Sequence, residues 1–239
     1  MLKLSDRLQK ISDFIETGES VADIGTDHGF LPISLWETGK SPRVILSDIN
    51  EGPLEKARLN IQKHYPENNF DIRIGSGIQT IRPAEVDDIV IAGMGGLLIA
   101  EILGDDLEKS KSYHKLILQP RNAQDKLRKW LLENGFEIVD EVLVRERKYI
   151  CEIILAVPLK PCSVPVVTFD HPMDFEISPI LITKKDPLLV EFIENKNRIE
   201  KKVCGAIQAK AVKDKAGKLR ESEERIKLLE ELRKRSDQK

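Results

Sequence analysis

The chain has 239 residues, of which 41% are hydrophobic and 33% charged, with a formal net charge of −2. That length buries one sizeable core and leaves room for a small appendage. No apolar run reaches bilayer-spanning length, and residues 1–19 are charged and amphipathic with no apolar signal core, so a cytoplasmic protein without a membrane partner is expected.

Cys151, Cys162 and Cys204 are odd in number and far apart, which suggests neither a disulfide framework nor a zinc site, and no metal is expected. The small net charge hides an asymmetry. Residues 184–239 carry 17 Lys/Arg against 11 Asp/Glu, whereas residues 1–183 carry 21 against 29. A basic tail on an acidic body suits a polyanionic partner, although a solvated helical appendage has the same composition.

Leu4, Leu8, Ile11 and Ile15 recur at helical spacing and open the chain with an amphipathic helix, which Gly18 ends. A first strand follows at about 20–25, then a short helix from near Pro32 to Gly39. Residues 43–48 form a second strand with Asp48 at its end, and Asn50 caps the next helix, with Pro53 in its first turn. A third strand at 70–74 closes in Gly75-Ser76-Gly77. A fourth at 88–92 closes in Gly93-Met94-Gly95-Gly96, and a helix follows. A fifth strand at 116–118 ends at Gln119-Pro120-Arg121-Asn122, where Asn122 caps a helix running to Gly135.

Two long strands then lie at 136–145 and 148–157, too close for a helix between them, so they make an antiparallel hairpin. Tyr149, on the second of them, is expected in the core. Residues 158–187 hold six prolines and read as an extended linker packed on the first domain. Beyond them Leu189, Phe192, Ile199 and Val203 fit one helix, and Val212, Leu219, Ile226 and Leu229 a second, with Gly205 or Gly217 at the reversal. The organisation is therefore residues 1–157, a linker at 158–187, and a helical hairpin at 188–239.

The stretch Val21-Ala22-Asp23-Ile24-Gly25-Thr26-Asp27-His28-Gly29-Phe30-Leu31-Pro32 reads as a buried strand, a glycine turn and a helix N-terminus. Its Asp-x-Gly-x-x-x-Gly spacing is not the Gly-x-Gly-x-x-Gly of dinucleotide binders. It resembles the first motif of class I S-adenosylmethionine methyltransferases; a glycine-rich connection in any α/β domain is the alternative. Five β/α units followed by a β-hairpin also match that fold's order, where a fully parallel dinucleotide sheet needs a helix in place of the two-residue turn. The fold expected is α/β, a Rossmann-like methyltransferase sheet with a C-terminal antiparallel hairpin, plus a coiled-coil-like helical hairpin.

Ligands of open α/β sheets bind at the carboxyl ends of the strands. Asp23, Gly25, Thr26 and Gly29 are candidates to hold the amino-acid part of a cofactor, and Asp48, with Ile49 beside it, its ribose, since a carboxylate can accept two adjacent hydroxyls. Ser76 and Gly77 stand where many such enzymes place an acid for the adenine amino group. Gly93-Met94-Gly95-Gly96 is expected to form a side-chain-free floor, with a glycine turn for tight helix–sheet packing as the alternative, and Gln119, Pro120, Arg121 and Asn122 put polar groups beside the methyl donor.

Ile24-Gly25-Thr26-Asp27-His28-Gly29-Phe30-Leu31-Pro32, Glu51-Gly52-Pro53, Ile91-Ala92-Gly93-Met94-Gly95-Gly96 and Leu116-Ile117-Leu118-Gln119-Pro120 together resemble one bacterial family, the tRNA methyltransferases that modify N1 of adenosine at position 22. The resemblance covers residues 1–157; the tail is similar in position and composition to that family's helical hairpin. It implies S-adenosylmethionine as cofactor, S-adenosylhomocysteine as product and tRNA as partner; the tail could pair within the chain or between chains, and a monomer is expected because two helices are present. Adenine N1 is a neutral lone pair at pH 7, so alignment rather than a base starts the reaction. Positive charge then develops on the ring, and Asp27 is the candidate to stabilise it. His28 is the second catalytic candidate, orienting the base or relaying a proton. A helix cap for Asp27 and a packed turn residue for His28 are the structural alternatives.

N1 lies on the pairing edge, so the base must be extruded; Phe30 and Tyr149 are the candidate stacking surfaces, although core burial is the expected fate of each. The basic tail, extended by Arg121, Lys126, Arg128 and Lys129, would hold the phosphate backbone. Competing readings are a methyltransferase of another RNA site or of a small molecule, and a non-catalytic RNA-binding module that keeps the cofactor fold.

Overall fold

The computed structural model describes residues 2–160, 167–209 and 214–237; Cys162 and Val212 lie outside them, as do Pro161 and Pro165 of the proline-rich stretch. The chain divides into two compact units, Met1–Val167 and Thr168–Lys239.

In the first unit, helix α1 (Asp6–Asp13), capped by the Ser5 hydroxyl, precedes β1 (Val21–Ile24), α2 (Phe30–Glu37), β2 (Val44–Asp48), α3 (Glu51–His64) and β3 (Asp71–Ile74). A 3-10 turn at Gly77–Thr80, strand β4 (Asp88–Met94), helices α4 (Gly96–Gly104) and α5 (Leu107–Ser110), strand β5 (Lys115–Pro120) and helix α6 (Gln124–Glu133) follow. Strands β6 (Phe136–Glu146) and β7 (Tyr149–Pro158) close the unit. The sheet order is β3-β2-β1-β4-β5-β7-β6, parallel from β3 to β5 and antiparallel at β7 and β6. This is the mixed methyltransferase-type sheet that the order of elements implied. The turn between β6 and β7 is two residues, Arg147-Lys148, and Arg147 takes the left-handed conformation (φ 55°) that such a turn requires.

The central strands are apolar on both faces because helices cover both. Val21, Ala22, Ile45, Leu46, Ile89, Val90, Leu116 and Ile117 are all buried. Full coverage fixes the parallel register and brings the carboxyl ends of β1, β2, β3, β4 and β5 to one edge. At that edge β4 slips register against β5 between Ala92 and Met94, where Gly93 adopts φ 80°, and pairing resumes at Met94 opposite Pro120.

Two local expectations change. The N-cap of α6 is Ala123 (φ 51°), not Asn122, whose carbonyl instead accepts the Gly96 N–H at 3.0 Å. Arg128 is fully buried and cannot reach a phosphate: its Nε lies 2.8 Å from Glu141 Oε1 and its Nη2 2.6 Å from Glu152 Oε2. An arginine on a helix otherwise charged outward is drawn in because the hairpin strands bring two carboxylates beneath it. With both in place its burial is compensated; removal of one would leave an unmatched buried charge.

The second unit holds a 3-10 turn at Pro172–Phe175, α7 (Pro179–Thr183), α8 (Leu189–Ala209) and α9 (Lys215–Asp237). Pairs Glu194–Arg233, Lys201–Glu230 and Glu200–Ser222 run in opposite directions along α8 and α9, so the two helices are antiparallel. Their seam differs from the heptad reading. Phe192, Ile193, Asn197 and Cys204 of α8 are buried, as are Ser222 and Leu229 of α9, while Ile199 and Val203 face outward. The spacing 192, 193, 197, 204 follows a stripe rotated from the one through 199 and 203, and the polar Asn197 and Ser222 concealed it. Gly205 and Gly217 both lie inside helices and mark no reversal.

Candidate active site

The turn after β1 builds one side of a cavity of about 570 Å3 at the carboxyl edge of the sheet. The Gly25 and Thr26 N–H groups both donate to the Ser47 carbonyl, at 2.7 and 3.0 Å, which pulls the turn onto β2. Gly25 (φ 77°) lies in the left-handed region, and a Cβ there would collide with the Met94 methyl. The Met94 side chain thus lies over the Gly25 backbone, and its unbranched thioether is one that can swing aside. Gly93 has open space where a Cβ would be.

The other glycines of the cradle have packing reasons. A Cβ on Gly29 would meet Leu46 and Ala57 of the core, one on Gly77 would meet Ile102, and one on Gly96 would meet the Ala123 carbonyl. Gly95 lies against the Asn122 side chain. The glycine run at 93–96 is therefore not one continuous floor. Gly93 opens the cavity, while Gly95 and Gly96 let α4 approach the loop after β5.

Asp23 is buried at the base of this cavity, and burial pushes its carboxyl up to about 6, with Thr26 and the Arg7 guanidinium drawing it back. Asp27 is exposed at the rim, 3.3 Å from Lys56 Nζ and 3.5 Å from His28 Nε2. His28 holds a left-handed backbone (φ 65°), rare for a residue with a Cβ and costly enough to suggest a functional reason. Its carbonyl accepts from Asn60 Nδ2 at 2.9 Å. Its ring stacks on Phe30 with centroids 5.2 Å apart and planes 8° apart, so two flat faces line the same wall.

Further along the edge, Asp48 Oδ1 accepts the Asn50 N–H at 2.7 Å, and Ile49 is exposed beside it. Ser76 and Gly77 follow at the end of β3. These four share the strand edge without lining the 570 Å3 cavity. Gln119 is buried at the end of β5: Arg7 donates to its Oε1 at 3.2 Å, and its Nε2 donates to the Pro120 carbonyl at 3.2 Å. Arg121 lines the cavity, and Asn122 lies outside it.

A methyltransferase-domain model matches residues 4–154, from just before α1 to within β7. The chain belongs to the methyltransferase family. It is 37% identical over 155 residues to the tRNA (adenine(22)-N(1))-methyltransferase of Bacillus subtilis, a match spanning 65% of each chain, so the aligned stretch covers just under two thirds of that relative. The solved structure of the Bacillus subtilis tRNA methyltransferase TrmK superposes with a TM-score of 0.84 at 29% identity, covering 98% of this chain and 100% of that one. That of Streptococcus pneumoniae, described as "a putative tRNA (m1A22) methyltransferase, in complex with S-adenosyl-L-methionine", gives 0.81 at 29% identity, covering 97% and 100%.

The edge fits the cofactor of this family. Gly93 leaves its backbone open in the cavity that Asp23 lines, Gly25 is covered there only by the Met94 methyl, and the Asp48 carboxylate stands at the end of the neighbouring strand with its Oδ1 held by the Asn50 N–H. The sequence had not pointed to Arg7, Ser5 or Glu146 as cavity residues of this methyltransferase fold. Arg7 reaches Glu146 Oε2 with its Nε at 2.8 Å. No spacing in the sequence signals it, because Arg7 reads as the solvent side of an amphipathic helix and its partners are more than a hundred positions away.

Proposed function

We propose that this chain methylates N1 of adenosine 22 in tRNA, with S-adenosylmethionine as donor, in the bacterial cytoplasm. The reading is carried by one observation: a chain of this family places Asp23, Gly25, Asp27, His28 and Gly93 around a single cavity at the carboxyl edge of its sheet. Residues 1–157 would hold the cofactor, residues 158–187 would serve as a linker, and residues 188–239 would contact tRNA.

The cofactor would supply an electrophilic methyl group on a sulfonium. Asp23 would hold its amino-acid end, Gly25 and Gly93 would let it lie against backbone, and Asp48 would accept its ribose hydroxyls. Gln119, fixed by Arg7, would offer an oriented amide at the end of β5 to the incoming tRNA strand. The flat His28–Phe30 wall would orient the extruded adenine. N1 needs no deprotonation, so positioning is the main task. Asp27 would sit beside the exocyclic amine and stabilise the positive charge that spreads over the adenine.

The helical pair supports an RNA substrate over a small molecule. A groove of about 620 Å3 on α8 and α9 is lined by Arg198, Lys201, Lys202, Arg233 and Lys234 against Glu194 and Glu230. That excess of cations suits a phosphate backbone.

The test uses labelled S-adenosylmethionine and unmodified bacterial tRNA, with the product mapped by reverse transcription. N1-methyladenosine blocks pairing, so the expected result is a stop at adenosine 22 that disappears when that base is replaced. Cofactor binding without methyl transfer to any tRNA would refute the substrate and leave the fold standing.

A further inference from the structure

Beside the cavity described above lies a second, of about 580 Å3, which shares Arg7, Arg121 and Glu146 with it. Gln119 and Pro120 at the end of β5 form one side, and the tip of the β6–β7 hairpin forms the other. Three guanidinium groups line it, from Arg7, Arg121 and Arg147, against one carboxylate, Glu146. That carboxylate already pairs with Arg7 at 2.8 Å, so the remaining charge in the cavity is positive.

Tyr149 adds a second chemistry. It is 63% exposed, the first residue of β7, and its ring lines the cavity with Lys148 Nζ 5.2 Å from the ring centroid. The sequence offers this ring as a stacking surface but favours its burial in the core. The two-residue turn instead holds it, exposed, at the hairpin tip opposite Glu146. An exposed aromatic face amid guanidinium groups is what a single-stranded nucleotide needs: the ring takes the base, and the cations take the phosphate.

We propose that this second cavity binds the nucleotide next to the target adenosine, with its base on Tyr149 and its phosphate against Arg121 and Arg147. The inference rests on the tRNA reading above and deepens it. An extruded base drags its neighbours toward the protein, and the shared residues give the strand a continuous path from one cavity to the other. The Arg7–Glu146 pair stands on that path, so the target base and its neighbour sit on opposite sides of it.

The experiment measures binding of an unmodified tRNA transcript to the full-length protein across a salt series. Wild type, Tyr149→Ala, Tyr149→Phe and Arg147→Gln are compared, with S-adenosylmethionine affinity by calorimetry and the melting temperature recorded for each. Tyr149→Ala is expected to weaken tRNA binding about 5- to 100-fold, with Tyr149→Phe close to wild type. Arg147→Gln is expected to flatten the slope of log affinity against log salt by about one. Both should leave cofactor affinity unchanged. Unchanged tRNA affinity and slope in both variants, with a wild type that methylates tRNA, would overturn the second cavity alone. A parallel fall in melting temperature and cofactor affinity, shared by Tyr149→Phe, would mark a structural role and overturn it too. A wild type that binds no tRNA would overturn the tRNA reading and this one together.

Discussion

The two walls of the cavity are built in opposite ways. On one side Asp23, Gly25, Asp27, His28 and Phe30 come from a single turn of eight residues. On the other, Arg7 is tied to Gln119 and Glu146 across 112 and 139 positions of sequence. The first wall is set by backbone: two amides on the Ser47 carbonyl, and left-handed conformations at Gly25 and His28. The second is set by side-chain bonds that exist only once α1, β5 and the hairpin have met. A local wall tolerates distant change but not substitution in its turn, whereas a wall assembled from three elements reports on how those elements dock. The first is therefore expected to govern the cofactor and the stacking of the base, and the second the orientation of Gln119 and the stability of the edge.

The largest effect should come from the cofactor edge. Asp48→Ala removes a carboxylate proposed to accept two hydroxyls, and hydrogen bonds to a charged group are worth about 1.5–3 kcal/mol. S-adenosylmethionine affinity should fall about 10- to 100-fold by calorimetry, with tRNA affinity unchanged. An equal loss of both would break the separation between the cofactor edge and the wall that Arg7 builds.

Arg7→Met should do the reverse. It keeps an apolar stem on α1 but leaves Gln119 Oε1 without its donor and Glu146 without its cation. An unsatisfied buried polar atom costs about 1–3 kcal/mol, so the melting temperature should fall by a few degrees. Methyl transfer to tRNA should slow about tenfold or more, because the amide of Gln119 loses its fixed orientation, at near-normal cofactor affinity.

The smallest effect tests whether the walls communicate. Burial raises the Asp23 carboxyl from 3.8 to about 6, with Arg7 opposing the shift. A raised acid binds its proton more tightly in the folded state, so its contribution to stability is full below about pH 4 and is lost as the pH rises through about 6. A cationic ligand responds with the opposite sign, because it needs the carboxylate. Cofactor affinity should rise by up to tenfold per unit up to about pH 6 and level off near pH 7. In Arg7→Met the same profile should shift to higher pH, and Asp23→Asn should abolish it.

Where sequence and structure part, the residues have a common character. By type, Arg128 reads as a surface charge, and Tyr149 as a core ring before a stacking one; Arg128 is buried and Tyr149 exposed. Arg128 went inside because Glu141 and Glu152 meet it there, and Tyr149 stayed outside because a tight turn sets it at the hairpin tip. The glycines divided for a similar reason. Gly25 and Gly93 answer to backbone conformation at the cavity, and Gly29, Gly77 and Gly96 to a neighbour's approach, a difference that glycine's own identity does not carry.

By itself the sequence determined the strands, their order of succession, the antiparallel end of the sheet and the turn that carries Asp23 to Phe30. These depend on apolar periodicity, turn residues and loop lengths, all of which act between near neighbours in the chain. The tertiary structure decided which glycines face the cavity, how the helical seam is rotated, and how Arg7 joins Gln119 and Glu146. Those outcomes depend on which distant surfaces come into contact. A side chain's partner across a hundred residues is fixed by packing of whole elements and leaves no mark on the local pattern.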